Sequence, residues 1–369
     1  LQNEKLTNNP DMKTLLKLLT LLTITGFILT SCEGPMGPAG EDGTDGIDGI
    51  DATASCLECH NNDALVGLKV AQWETSMHAT GGNAAYANRT GCVQCHTSQG
   101  FLEYVAEGST AAISVPAEPM QINCYTCHKI HSTFTESDWD LTKPGAQTLN
   151  VKYAGADVVW DKGSSNQCVA CHQSFAISPA PVLDGPDFEI TNTRMGTHHG
   201  PMANLVLGKT AFELSGTAYP TTNVHSTGAG CVTCHMATPY GYQAGGHNMG
   251  MEYDSHGTAK MLYTGCAACH DVTPAGVAAF DAKIAATHAN IEAKLEALKN
   301  QLIEAGIFNT GTNLANKGTF KANAVYAYIN FNMIEEDRSL GIHNPVYTKV
   351  LLDNSIAAMT TLGYTGEVK

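Results

Sequence analysis

The sequence is poor in charge, and poorest in positive charge. Asp, Glu, Lys and Arg make up 15% of its 369 residues, with 20 Lys and Arg against 35 Asp and Glu. A net charge of −15 leaves no basic surface with which to hold nucleic acid or an anionic membrane face. Long apolar runs are also missing. The longest stretch, Leu18 to Leu29, is broken by Thr and Gly and has twelve residues. A membrane span needs about 20. Aromatic residues are only 7%, yet hydrophobic residues reach 43%, so wholesale disorder is excluded. Length alone suggests about two domains. What the chain does have is 13 Cys and 15 His.

Twelve of the 13 Cys fall in six copies of Cys-x-x-Cys-His. These are Cys56-Cys59-His60, Cys92-Cys95-His96, Cys124-Cys127-His128, Cys168-Cys171-His172, Cys231-Cys234-His235 and Cys266-Cys269-His270. Two thiols a helical turn apart can add to the two vinyl groups of one haem, and the adjacent His then reaches the iron as proximal ligand. A disulfide framework has no reason to place His after every second Cys. A structural zinc site pairs two knuckles, also without a fixed Cys-His dipeptide. The pattern therefore predicts six covalently bound haem c groups, each with iron, and no disulfides, since Cys32 alone is left over. On these motifs the sequence resembles the multihaem c-type cytochromes.

The N-terminal part reads as a targeting segment. Lys13 and Lys17 precede the apolar stretch, as in a signal peptide starting at Met12, with residues 1–11 upstream of it. Leu29-Thr30-Ser31 before Cys32 resembles a bacterial lipobox, which implies cleavage and lipidation at Cys32. Glu33 follows, and lack of Asp there implies no retention in the inner membrane. Glycine then recurs every third residue from Gly34 to Gly49, a collagen-like period with only Pro35 and Pro38 to support a triple helix. A flexible acidic spacer is the default reading; a trimerising segment is the alternative.

Successive motifs start 36, 32, 44, 63 and 35 residues apart. Such spacings leave little room for long elements, so loops and short helices wrapped round a haem stack are expected, with helical starts at the motifs. The haems would then supply much of the apolar core, which accounts for the few aromatics. Nine His remain for the distal side of the irons. His78 lies in Trp73-Glu-Thr-Ser-Met-His78, similar to a Trp…Ser-x-His segment of multihaem cytochromes. His131 is too close to His128 to serve the same haem and is expected to ligate a neighbour. His198 and His199 sit in Thr-His-His-Gly-Pro, a string that resembles the family, and either could ligate. His225 precedes Cys231 by six residues, and His247 lies in a Gly-Gly-His segment of family type. His256 reads as a surface residue.

Towards the C-terminus the pattern turns helical. Phe280, Ile284, His288, Ile291, Leu295, Leu298 and Leu302 form one apolar stripe over 276–305, with His288 a core residue or a weaker distal candidate. Further helices are predicted from Asn323 to Glu336 and from Pro345 to Leu362, with Pro345 suited to a first helical position. The segment between them, Asp337-Arg-Ser-Leu-Gly-Ile-His343, resembles the C-terminal region of ammonia-forming cytochrome c nitrite reductases. That resemblance implies long helices packed on the haem domain, His343 as a distal ligand, and a homodimer contact. The departure is that the catalytic haem of that family is attached through Cys-x-x-Cys-Lys, whereas every motif here ends in His.

The expected architecture is mainly α with extensive loops and little β. It comprises a signal segment (1–31), a lipidated Cys and linker (32–51), a hexahaem domain (52–275) and a helical region packed on it (276–369). The expected function is electron transfer by an exported bis-His cytochrome, lipid-anchored in the outer membrane on its periplasmic or cell-surface face. Its partners would be other redox proteins or extracellular acceptors. No catalytic residue is assigned. The alternatives are a reductase of nitrite, hydroxylamine or a sulfur oxyanion with one open haem, and a subunit of a cytochrome filament.

Overall fold

The computed structural model describes residues 64–108, 113–198 and 200–367. The signal segment, Cys32, the glycine-repeat linker, the first motif (Cys56, Cys59, His60) and His199 lie outside the described residues. The chain divides into two compact units, Leu1–Asp51 and Ala52–Lys369. Everything below concerns the second.

That unit is mainly α. Its helices are α1 (Ala64–Glu74), α2 (Met77–Thr80), α3 (Thr90–His96), α4 (Ser98–Glu107), α5 (Cys124–Cys127), α6 (Asn166–Val169), α7 (Met202–Leu207), α8 (Val224–Gly228), α9 (Cys231–His235), α10 (Val277–Glu304), α11 (Ala322–Asp337) and α12 (Pro345–Thr361). The β content among the described residues is four antiparallel two-stranded pairs. These are β1–β2 (Gln147–Thr148, Val159–Trp160), β3–β8 (Phe188–Ile190, Gly318–Phe320), β4–β5 (Glu252–Ser255, Thr258–Met261) and β6–β7 (Phe308–Asn309, Leu314–Ala315). Among the described residues, no helix is long and apolar enough to cross a membrane.

The three long helices form where periodicity predicts them, and they hold the principal core. Ile291, Leu295, Leu298 and Leu302 of α10 pack with Val325, Tyr328, Ile329 and Met333 of α11 and with Tyr347, Leu351, Leu352 and Met359 of α12. Burying each such side chain contributes about 1.5–3 kcal/mol. Pro345 opens α12 at its first turn, and Asn344 caps it by accepting from the Tyr347 N–H at 3.2 Å. Buried amides stitch neighbouring loops to the core. Asn330 accepts from Phe212 N (3.0 Å) and donates to Phe212 O (2.7 Å) and Ser355 Oγ (3.1 Å). Asn354 treats Thr217 the same way, at 2.8 and 2.9 Å.

One expectation fails in part. The apolar stripe of α10 is not buried throughout: Ile284 and His288 are half-exposed, while Phe280 and the positions from Ile291 onward are buried. The reason is tertiary. The C-terminal core begins at Ile291, and the first turns of α10 instead meet the motif-bearing region, where the Phe280 ring lies 4.7 Å from His270 and 4.9 Å from Tyr263.

The motif-bearing stretch before residue 276 has much less core of its own. Its buried clusters are Leu149, Val158, Trp160, Val169 and Ala203, and a smaller one of Ala87, Val93 and Ile113. Short helices start at four described motifs. The sixth, Cys266-Cys269-His270, is a single turn that does not continue.

Candidate functional site

Each described motif makes one helical turn. The His N–H donates to the carbonyl of the first Cys at 2.8 Å for His128 and Cys124, 2.9 Å for His172 and Cys168, and 2.9 Å for His270 and Cys266. Positions i, i+3 and i+4 share a helix face, so both thiols and the imidazole are presented together. Local sequence sets these turns. Asn123 and Thr126 close a capping box at α5. Gly100 lets α4 pass so close to α3 that a Cβ there would lie 2.5 Å from Val93 O. All ten described Cys are free thiols. Burial, then the neighbouring Cys168 and Cys124, pushes the Cys127 thiol up to about 12. Burial and Cys234 push Cys266 up to about 11. Cys168 goes the other way, lowered by its hydrogen bond with Cys231.

Each of the five described motif imidazoles is faced by a second one. Ring centroids are 6.1 Å apart for His172 and His78, 6.2 Å for His96 and His198, and 6.2 Å for His128 and His247. They are 6.2 Å apart for His235 and His343, and 6.3 Å for His270 and His225. A metal–imidazole bond is about 2.0–2.1 Å and a ring nitrogen lies about 1.1 Å from its centroid, so two rings across one metal ion stand roughly 6.2–6.4 Å apart. Four of the pairs fall within that span, and His172 with His78, at 6.1 Å, lies just short of it.

Hydrogen bonds fix which nitrogen faces inward. Nδ1 of His128 donates to Trp139 O (2.6 Å), that of His225 to Ile342 O (2.9 Å) and that of His235 to Met249 O (2.8 Å). Nδ1 of His343 meets the Asp337 carboxylate at 2.6 Å. With Nδ1 occupied in this way, Nε2 is left to bind a metal. Burial lowers His78, and burial with His78, His235 and His343 nearby takes His172 down to about 4. His235, His247 and His270 are also lowered, burial being the first cause in each. Neutral imidazole is the ligating form. His343 differs: burial would lower it, but the charge and hydrogen bond of Asp337 carry it above the usual value.

The donor set fits haem iron better than a bare ion. Among the described residues no group of three or more His, Cys, Asp or Glu could hold a metal ion. Each described site would hold a haem iron between two imidazole nitrogens, with two thiols beside one of them to anchor the group. Gln94 Oε1 and Thr197 Oγ1, in the segments carrying His96 and His198, are buried without a protein hydrogen-bond partner. Such orphaned atoms are uncommon in a finished interior.

The facing residues are held as firmly as the motifs. Buried Ser76 caps α2 and so places His78. His198 occupies a left-handed turn (φ 66°), with Phe175 edge-on at 5.7 Å. Gln72 accepts from the His247 N–H at 3.0 Å, an approach that Gly246 (φ 51°) permits. His225 lies in α8 and faces the sixth motif, not the fifth that follows it in sequence. His131 (φ 59°) stacks on Phe134 at 5.5 Å, with Tyr125 Oη 3.3 Å from its Nδ1. His288 belongs to none of the five pairs, and His256 is exposed in the β4–β5 turn. Sequence reasoning did not assign Asp337, Gln72 or the carbonyls of Trp139, Met249 and Ile342. A carbonyl carries no side-chain signal, and Asp337 was legible only as part of a string.

Contacts between motifs give their spatial order. Cys171 Sγ lies 3.9 Å from Gln94 O, joining the fourth motif to the second. Gln167 Nε2 donates to Thr126 O at 3.2 Å, joining it to the third. Val232 N donates to Ser165 Oγ at 3.2 Å, joining it to the fifth. A Cβ on Gly265 would lie 2.4 Å from Thr233 O, so the sixth motif abuts the fifth. The fourth motif is therefore a node, with the fifth and sixth in a row from it.

No family model matches the chain, and no curated protein matches it. Among solved structures, the crystal structure of the outer cell wall cytochrome OcwA is similar at 18% identity with a TM-score of 0.45. The match covers 79% of this chain and 50% of that one, so the chain spans about half its length.

Proposed function

We propose that this protein is an exported hexahaem c-type cytochrome that carries electrons. The observation that carries the reading is the set of five motif His rings, each faced by a second ring 6.1–6.3 Å away. Bound haem would supply one-electron iron chemistry at low potential, as bis-His ligation favours. The chain's own contribution is to bind and to orient. The thiols anchor, His60, His96, His128, His172, His235 and His270 ligate on one side, and the facing His close the other. A haem iron held between each pair of imidazoles would leave none of the five described sites open to a substrate, which disfavours the reductase reading.

For the remaining site, that of the first motif, His131 is the proposed second ligand. Helix α1 begins four residues after His60 and docks beside the third motif. Trp73 Nε1 donates to Ile122 O at 3.0 Å, and Lys69 Nζ lies 5.9 Å from the Trp139 ring centre. This brings α1, the first described element after the first motif, beside the loop that carries His131. Lipidation at Cys32, anchoring in the outer membrane, a homodimer contact, and redox proteins or extracellular acceptors as partners belong to the same proposal.

The test is a haem count by pyridine haemochrome with electron paramagnetic resonance of the purified holoprotein. The expected result is six low-spin haems per chain. Fewer than five haems would sink the reading, and a high-spin ferric signal would reopen the reductase alternative.

A further inference from the structure

We propose that Asp337 sets the potential of the iron held between His235 and His343, making that site the lowest in potential of the five described. The inference rests on the cytochrome reading above and adds a residue with a task that the motifs do not reveal.

The argument begins with a difference among second partners. Three ligating rings, His128, His225 and His235, meet neutral backbone carbonyls through Nδ1. His343 meets a carboxylate, at 2.6 Å. A hydrogen bond to an ionised acceptor is roughly twice as strong as one to a neutral acceptor. It draws the Nδ1 proton away and makes Nε2 a stronger donor to a metal. A stronger donor stabilises the ferric state over the ferrous one, which lowers the potential. Asp337 is also a full negative charge, and its side chain is only 2% exposed, so water screens it little. The added charge acts in the same direction.

The carboxylate is held for this role. Asp337 ends α11, and Arg338 (φ 57°) turns the chain so that residues 339–343 fold back over it. Ser339 Oγ donates to the other carboxylate oxygen and accepts the His343 N–H at 3.3 Å. One short segment thus fixes both the ligand and the charge behind it. Among the described motifs the site lies between the fourth, which is the node, and the sixth. A low-potential station there separates the sixth site from the node in energy as well as in space.

The experiment is a spectroelectrochemical titration of the full-length holoprotein and of Asp337→Asn, Asp337→Glu and Ser339→Ala, with haem count and paramagnetic resonance on each. The expected result for Asp337→Asn is a positive shift of one reductive step, the lowest, with the other steps superimposed and all haems low-spin. Asp337→Glu should return that step part of the way. Ser339→Ala, which frees the second oxygen and strengthens the carboxylate as an acceptor, should move it the opposite way; it carries the test if the Asn variant fails to accumulate. An unshifted titration in Asp337→Asn, with haem count intact, overturns the inference alone. So does a new high-spin signal there, because Asp337 would then hold the ring without tuning the iron. A wild-type protein without low-spin iron overturns the cytochrome reading and this inference together.

Discussion

Residues 276–367 and the motif-bearing residues before them are stabilised by different means. The C-terminal helices share one continuous core, from Ile291 through Met359, with Leu298, Val325, Ile329 and Leu351 fully buried. The motif-bearing stretch lends Ile190, Leu205 and Leu214 to that core, but its own clusters are two small ones, and it is otherwise tied by buried amides and paired imidazoles. The first region is an ordinary protein interior. On the proposed reading the second is arranged around haems that the polypeptide does not itself supply, so its stability should depend on their attachment.

The largest effect should come from removing that attachment at the node. Cys168→Ala with Cys171→Ala is expected to abolish amide protection across most of 64–275 while α10, α11 and α12 keep theirs. Hydrogen exchange read by mass spectrometry on the full chain checks this, and equal loss in both regions would break the contrast. The converse change is Leu298→Ala, at a fully buried position of the helical core. It should cost about 2–5 kcal/mol in denaturant unfolding and leave the haem count unchanged.

Smaller effects sharpen the boundary between the regions. Asn330→Ala leaves the Phe212 N–H and carbonyl without their side-chain partner and should cost about 1–3 kcal/mol, measured the same way. Smallest is Ser76→Ala at the cap of α2, about 0.5–2 kcal/mol. Its effect should appear as local exchange around His78, with none in the C-terminal helices. A matching change in α12 would mean that the two regions unfold as one.

Much of this was legible in the sequence. The spacing of Leu295, Leu298 and Leu302 placed α10 within a residue or two of its ends, and Pro345 marked the start of α12. The Cys-x-x-Cys-His strings marked where two thiols and an imidazole share one helical turn. The facing residues could be named but not matched. His225 stands beside the fifth motif in sequence and faces the sixth in space. His288 follows the stripe of α10 and is half-exposed, because the core ends before it.

The sequence by itself determined which thiols and imidazole share each described site, since five consecutive residues make one helical turn. It also determined where the long helices run, through apolar periodicity. The tertiary structure decided which imidazole faces which, across separations from 45 residues (His225 to His270) to 119 (His128 to His247). It also placed the fourth motif at the node and set a buried carboxylate behind His343. No local pattern encodes such pairings, because they follow from how α1, the central loops and the C-terminal helices pack together.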